Sequence, residues 1–75
     1  MKMRKVKMEH RTGYAIELYV SHLGNEAEIY ANGNLQHTIT GENVLDRAMR
    51  QYDRTVDYLD ALMELPEYKK GLKKI

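Results

Sequence analysis

A regular row of acids stands out among the residues that could do chemistry. Asp46, Asp53 and Asp60 recur every seven residues, which places them along one flank of a helix, and Asp57 and Glu64 form a neighbouring row. Paired carboxylates act as general acid and base only in a pocket that raises one pKa. A solvated helix flank offers no such pocket, so we expect these acids to bind positive charge rather than to catalyse.

The source of that positive charge has two interpretations. Acids near a helix C-terminus oppose the helix dipole by roughly 0.3–1 kcal/mol each, so a counter-charge should lie close by. It is either internal, from the basic first strand or the lysines of residues 69–75, or it belongs to a basic partner protein. In the second case the acidic row would imitate nucleic-acid phosphates and occupy a basic groove on a nucleic-acid enzyme.

Tyr19 and Tyr30 form the second candidate group. Strand alternation places both on the outer, polar face of a sheet, in one cross-strand row with Lys5 and Gln36. Such a pair can stabilise the sheet, bind another protein or stack single-stranded bases. The acids expected on the same face would repel phosphate and so favour a protein partner. These acids are Glu9, Glu17, Glu26 and Glu28.

The basic ends of the chain support an alternative, a single-stranded nucleic-acid-binding module. Residues 1–11 hold five basic residues against one acid, and residues 69–75 hold four lysines. Between them, ten acids and three arginines make the middle acidic, although the whole chain has a net charge of +1. The nucleic-acid surface would combine the two tyrosines with the basic residues of the first strand. These are Lys2, Arg4, Lys5 and Lys7.

Other chemistry has little support in the sequence. There is no cysteine, and the three histidines show no spacing that suits a metal. Ser21 is the only serine, and nothing places a base beside it. The sequence therefore predicts no catalytic residue, no cofactor and no metal, and a protein that is not an enzyme.

The candidate residues depend on a sheet formed by residues 3–40. Alternation is clearest at Tyr14, Ile16, Leu18 and Val20, which predicts a strand with one buried face. Turn residues divide the region into four strands of an antiparallel meander, order 1-2-3-4. Turn geometry and side-chain parity then predict the partners across each turn. They are Met8–Ile16, Val6–Leu18 and Lys7–Glu17 across the first, Val20–Ile29 and Leu18–Ala31 across the second, and Ala31–Leu35, Ile29–His37 and Ala27–Ile39 across the third.

Residues 42–65 are predicted to form one long amphipathic helix. Apolar residues recur at intervals of three and four, with Thr40 as the expected N-cap. Pro66 disfavours helix at the residue before it and marks the end, leaving residues 66–75 as a basic tail. The apolar stripe consists of Leu45, Met49, Tyr52, Val56, Leu59 and Met63.

These elements predict a single α+β domain over residues 1–75, a two-layer ββββα arrangement with the helix on the apolar sheet face. At 1.5 Å per residue the helix is about 36 Å long and should overhang the sheet. Leu59, Leu62 and Met63 would then expose apolar surface and could mediate a homodimer.

This layout resembles that of small binding modules, including antitoxin-like proteins and phage-encoded inhibitors. The predicted function is a non-enzymatic protein-binding module with another protein as its partner. Its more specific form is an inhibitor of the type that phages or mobile elements carry. No run of about 18 apolar residues occurs and no secretory signal is recognisable, so we expect a cytoplasmic protein that does not bind membranes.

Overall fold

A computed structural model describes residues 3–11 and 13–65 of the 75-residue chain. Four antiparallel strands form one sheet in the order β1-β2-β3-β4, and a single helix packs on one face of it. This confirms the predicted ββββα architecture. The predictions for Lys2, Pro66 and the basic tail lie outside the described residues. The elements are β1 (Met3–Arg11), β2 (Tyr14–Ser21), β3 (Glu26–Ala31), β4 (Asn34–Thr40) and α1 (Val44–Met63).

The core lies between the two central strands and the helix. Alternate residues of β2 and β3 point toward α1 and are buried, as their spacing predicts. Removing these apolar side chains from water is the main force that holds the helix against the sheet. The largest fully buried side chains are Ile16, Leu18, Ile29, Val44 and Tyr52.

The register of β1 differs from the prediction. Arg11 pairs with Tyr14, one residue away from the pairing of His10 with Tyr14 that the predicted partners imply, and Gly13 beside them adopts a φ of 94°. The pairing then shifts by one residue at a bulge between Lys5 and Lys7. The one-residue offset that begins at the turn exchanges the two faces of the strand between the turn and the bulge. The predicted partners Met8–Ile16, Val6–Leu18 and Lys7–Glu17 are therefore wrong. Met8 opposes Glu17, Glu9 opposes Ile16 and Lys7 opposes Leu18.

The register between β2 and β3 is shifted by two residues, which leaves the faces unchanged. Val20 pairs with Ala27 and Leu18 with Ile29, so the predicted partners Val20–Ile29 and Leu18–Ala31 are wrong. Ser21 explains why the loop between β2 and β3, residues 22–25, is longer than the predicted pairing requires. Its hydroxyl donates to Asn25 Oδ1 at 3.0 Å and accepts the Glu26 amide at 3.2 Å, and its carbonyl accepts the Gly24 amide at 2.9 Å.

The turn from β3 to β4 is the two-residue turn that Asn-Gly favours. Asn32 and Gly33 both have positive φ, 52° and 82°, as a type I′ turn requires. Ala31 therefore pairs with Asn34 and not with Leu35 as predicted. A second irregularity, between Ile29 and Tyr30, restores the predicted partners Ile29–His37 and Ala27–Ile39. Leu35 consequently opposes Tyr30 on the outer face, and Gln36 lies outside the predicted tyrosine row.

The helix begins later than predicted. Asn43, at a φ of 55°, precedes the first helical residue, whereas Thr40 ends β4 and is not the N-cap. The guanidinium of Arg47 closes this connection, donating to the carbonyls of Thr40 at 2.7 Å and Glu42 at 3.1 Å. Among the described residues, no helix combines the length and the apolar character needed to cross a membrane.

Candidate functional site

The sheet face opposite the helix carries the tyrosine pair. Tyr19 on β2 and Tyr30 on β3 point away from the core and are half-buried. Their ring centroids are 5.5 Å apart and the rings are nearly perpendicular, at 84°. Lys5 opposes Tyr19, as predicted. Tyr19 pairs with Glu28 and Tyr30 with Glu17, however, so the two tyrosines touch across the diagonal and not in one row.

Each tyrosine hydroxyl is held by a carboxylate two residues earlier on its own strand. Tyr19 donates to Glu17 Oε2 at 3.1 Å, and Tyr30 donates to Glu28 Oε1 at 2.9 Å. Residues two apart share a face of a strand, which is why the two strands repeat the same arrangement. The hydrogen bond to Glu28 raises the pKa of the Tyr30 hydroxyl above its ordinary value.

One of these two tyrosine–carboxylate units already holds a cation. Lys5 Nζ lies 2.8 Å from Glu17 Oε2 and 5.9 Å from the centroid of the Tyr19 ring. The hydrogen bond between them raises the pKa of Lys5 and lowers that of Glu17. The corresponding unit on β3, Tyr30 with Glu28, has no ion pair with any described residue.

The tyrosines border a shallow depression of about 530 Å³ on this face. Three glutamates, Glu17, Glu26 and Glu28, line the depression, and Lys5 pairs with one of them, Glu17. The depression therefore combines aromatic surface with negative charge. Its lining consists of Met3, Glu17, Tyr19, Glu26, Glu28, Tyr30 and Gly33.

Two apolar side chains on this face were missed by the sequence analysis. The predicted pairings Met8–Ile16 and Ala31–Leu35 put Met8 and Leu35 on the core side. The observed pairings next to the two turns, Met8–Glu17 and Tyr30–Leu35, place both on the outer face, where they are 39% and 51% exposed. The signal for Leu35 was the Asn32-Gly33 dipeptide, whose preferred turn gives the observed pairing. Together with the tyrosines they give the outer face an apolar surface that no second layer of the described structure covers.

The predicted acidic row is partly neutralised from within. Arg11 makes a bidentate contact with Asp60, with Nη2–Oδ2 at 2.6 Å and Nε–Oδ1 at 3.0 Å, and the Tyr14 hydroxyl donates to Asp60 Oδ1 at 2.8 Å. The Arg11 hydrogen bond, followed by that of Tyr14, lowers the pKa of Asp60. Lys7 lies 3.9 Å from Asp53. The first strand thus supplies counter-charge for Asp53 and Asp60. This is the internal source of positive charge that the sequence analysis gave as one of two interpretations.

The remaining acids of the row lie at the helix surface. Asp46 and Asp57 are exposed, and Glu64 follows the last helical residue. Their role as a surface for a basic partner stays a prediction.

The basic residues of β1 do not form one patch. Lys7 lies on the helix side, with Nζ 4.7 Å from the centroid of the buried Tyr52 ring, whereas Lys5 lies on the outer face. Arg4 pairs with Val20 and lies near the loop after β2. The first strand therefore divides its positive charge between two faces of the sheet.

The hydrophobic residues of the distal helix are partly used by the fold. Leu59 and Met63 pack against the core, and Leu62 is half-buried. The apolar surface available for the predicted self-association is correspondingly smaller.

Over the described ranges there is no cluster of three or more side chains that could hold a metal ion.

No protein-family model, curated protein or solved structure matches the chain. The geometry of its surfaces is therefore the basis for assigning a function.

Proposed function

We propose that the protein is a non-enzymatic protein-binding module that holds a basic segment of its partner on the outer sheet face. The observation that carries this proposal is the pair of edge-on tyrosines, each with a carboxylate at its hydroxyl, on a sheet face that the helix does not cover. Tyrosine is a preferred interface residue because it offers a large amphipathic surface with few rotamers to order.

The interaction with Lys5 is an internal example of the proposed binding. An ammonium group placed against a tyrosine ring and a carboxylate gains both a cation–π contact and a charge-assisted hydrogen bond. Lys5 makes both contacts at Tyr19 and Glu17. A lysine or arginine of the partner would take the equivalent position at Tyr30 and Glu28, with apolar contacts from Leu35 beside them.

A module of this kind can act as an inhibitor by covering a basic surface of its partner. The exposed acids of the helix, Asp46 and Asp57, lie on the other side of the sheet and would form a second negative surface there. In its more specific form, we propose that the protein is an inhibitor of the type that viruses or mobile elements carry.

A titration with a short lysine-rich peptide tests the proposal. With the ¹⁵N-labelled protein, we expect the largest amide shifts on β2 and β3 around Tyr19 and Tyr30. Replacing Tyr30 by Leu and Glu28 by Gln should each weaken binding by about three- to tenfold, since the first loses the cation–π contact and the second the charge-assisted hydrogen bond. The control is Tyr58→Leu, because this tyrosine is 62% exposed but lies on the helix.

The result also distinguishes the surfaces. Amide shifts confined to the helix around Asp46 and Asp57 would show that the peptide binds to the acidic flank of the helix and not to the sheet face. An absence of shifts at both surfaces would overturn the proposal.

The nucleic-acid alternative is tested in the same experiment with a deoxythymidine oligomer. Its support is the tyrosine pair beside Lys5, but Glu17 pairs with that lysine and two further glutamates line the same depression. We expect no binding of the oligomer to the tyrosine face even at about 50 mM salt, where phosphate contacts are strong.

A further inference from the structure

The two flanks of the helix carry opposite charge. The acidic row lies toward β1, where Arg11 and Lys7 meet it. On the other flank, Arg47, Arg50 and Arg54 are three and four residues apart and share one side of the helix, all exposed. This arginine flank was not singled out by the sequence analysis, because the acids outnumber the arginines in that region.

The arginine flank borders β4, and a groove runs between them. One part of the groove, about 240 Å³, is lined by the three arginines together with Ile39 and Gln51. A neighbouring part, about 440 Å³, shares Gln51 and Arg54. Its other lining residues are Gln36, His37, Thr55 and Tyr58.

Two of the arginines have no partner in the described part of the chain. Arg47 is engaged with the backbone carbonyls of Thr40 and Glu42. Arg50 and Arg54 make no hydrogen bond or ion pair with any described residue. Their guanidinium groups therefore offer forked donors that match a carboxylate.

The edge of the sheet beside this groove is open. Among the described strands β4 pairs only with β3, so one side of its backbone presents unpaired N–H and C=O groups. Edge strands are usually protected by charged side chains or bulges. The opposite edge, β1, has five charged residues and a bulge, whereas β4 has no Asp, Glu, Lys or Arg, and its irregularity lies before His37.

We propose that the edge of β4 binds an extended, acidic segment of another protein as a fifth strand. The segment would hydrogen-bond to the backbone of residues 37–40, and its acidic side chains would meet Arg50 and Arg54. Alternate residues of a strand are about 6.6 Å apart, and four residues of helix rise about 6 Å, so successive acids match the two arginines. This surface is distinct from the tyrosine face.

Charge disfavours a second copy of the chain as the occupant. Antiparallel pairing of two β4 strands about a two-fold axis keeps both helices on the same sheet face. The arginine flanks of the two copies would then face each other across the junction, and like charges at such an interface oppose association.

The test uses a capped peptide of alternating glutamate and threonine, about as long as β4, added to the ¹⁵N-labelled full-length chain. We expect the amide signals of residues 37–40 and the side-chain Nε–H signals of Arg50 and Arg54 to shift. The R50Q/R54Q double variant should bind at least about tenfold more weakly, as two charge-assisted contacts are lost. The matched control is R4Q, an exposed arginine on the opposite sheet edge.

Modified probes separate strand addition from simple charge attraction. A glutamine-for-glutamate peptide should lose binding. Of two peptides that are N-methylated at alternate residues, one should bind and the other should not, because only one edge of an added strand pairs with β4.

Four results would overturn the proposal. They are unshifted β4 amides, equal binding of both methylated peptides, tighter arginine-dependent binding of a deoxythymidine oligomer, and concentration-dependent β4 signals that show pairing between copies.

Discussion

At the scale of single residues, Arg11 links the first strand to the distal half of the helix. Its guanidinium bonds to Asp60 and, at 3.1 Å, to Glu9, while Tyr14 completes the coordination of the Asp60 carboxylate. The Tyr14 hydroxyl also lies 3.2 Å from the carbonyl oxygen of Val56, so its proton is shared by two acceptors. This cluster fixes the position of the helix over β1, where the sheet contributes little apolar surface.

Two buried tyrosines should respond differently to loss of the hydroxyl. Tyr14→Phe removes the bond to Asp60 and should lower the free energy of unfolding by about 1 kcal/mol. The Tyr52 hydroxyl is fully buried and makes no hydrogen bond of ordinary length and angle with a described residue. Burial, followed by the nearby Glu9 carboxylate, raises its pKa. Tyr52→Phe should therefore leave the unfolding free energy unchanged or raise it slightly, since an unpaired buried hydroxyl is unfavourable.

Urea denaturation of the two variants measures the difference. If Tyr52→Phe cost as much as Tyr14→Phe, the Tyr52 hydroxyl would have a bonding partner in solution.

The Asp60 carboxylate should make stability fall in acid. Its folded-state pKa lies below the ordinary value of 3.8, so its contribution is complete above about pH 5 and is lost as the pH falls through the lowered pKa. The melting temperature of Asp60→Asn should therefore vary less than that of the wild type between about pH 5 and about pH 2. Some dependence remains, because Lys5 lowers the pKa of Glu17 in the same direction.

The control for this measurement is Asp57→Asn. Asp57 is exposed and makes no ion pair with a described residue, so this variant should follow the wild-type curve. Equal flattening by both variants would show that overall charge, and not the Arg11 contact, sets the acid response.

At the scale of the elements, the turns and bulges decided what could be predicted. The alternation of apolar and polar residues is enough to predict the buried faces of β2 and β3. A register shift of two residues, such as the one next to Ser21, leaves these faces unchanged. The face of β1 next to the turn could not be predicted, since Arg11 pairs with Tyr14 there and its side chain bonds to Asp60, a residue 49 positions away in sequence. The outward positions of Tyr19 and Tyr30 followed from alternation, whereas the outward position of Met8 depends on the pairing of Arg11 with Tyr14 at the turn.

The Asn32-Gly33 turn should be sensitive to backbone conformation rather than to size. A Cβ on Gly33 would meet no atom within 4 Å, but the residue has a φ of 82°. Gly33→Ala should therefore lower the free energy of unfolding by about 1–2 kcal/mol through backbone strain alone. Gly33→Asn should cost less, because Asn adopts positive φ more readily.

Urea denaturation compares the two variants directly. Equal effects of alanine and asparagine would mean that the turn does not have the type I′ geometry.

At the scale of the whole molecule, the fold covers one face of its sheet and leaves the other open. The single helix buries β2 and β3 on one side, and the tyrosine face on the other side has no described layer over it. The described molecule measures 42 × 20 × 15 Å, so a large fraction of its residues lie at a surface. Binding surfaces are consequently available on the open face and along β4 without any change in the fold.

The self-association hypothesis for the distal helix makes a prediction for two neighbouring residues. Met63→Glu should lower the unfolding free energy by about 1–2 kcal/mol, because Met63 packs against the core. Leu62→Glu should affect stability less but should reduce the sedimenting mass to the 8.8 kDa of one chain. A wild-type chain that already sediments at 8.8 kDa would contradict dimerisation.

The opposite charges on the two flanks of α1 have a consequence at distances beyond contact. A molecule with a net charge of +1 is almost neutral from afar, yet within about a Debye length, roughly 8–10 Å at physiological salt, its field changes sign across the helix. An approaching charged protein would exert a torque on the chain and rotate it before they collide. Orientation during the encounter, rather than overall attraction, would then make the association rate depend on ionic strength.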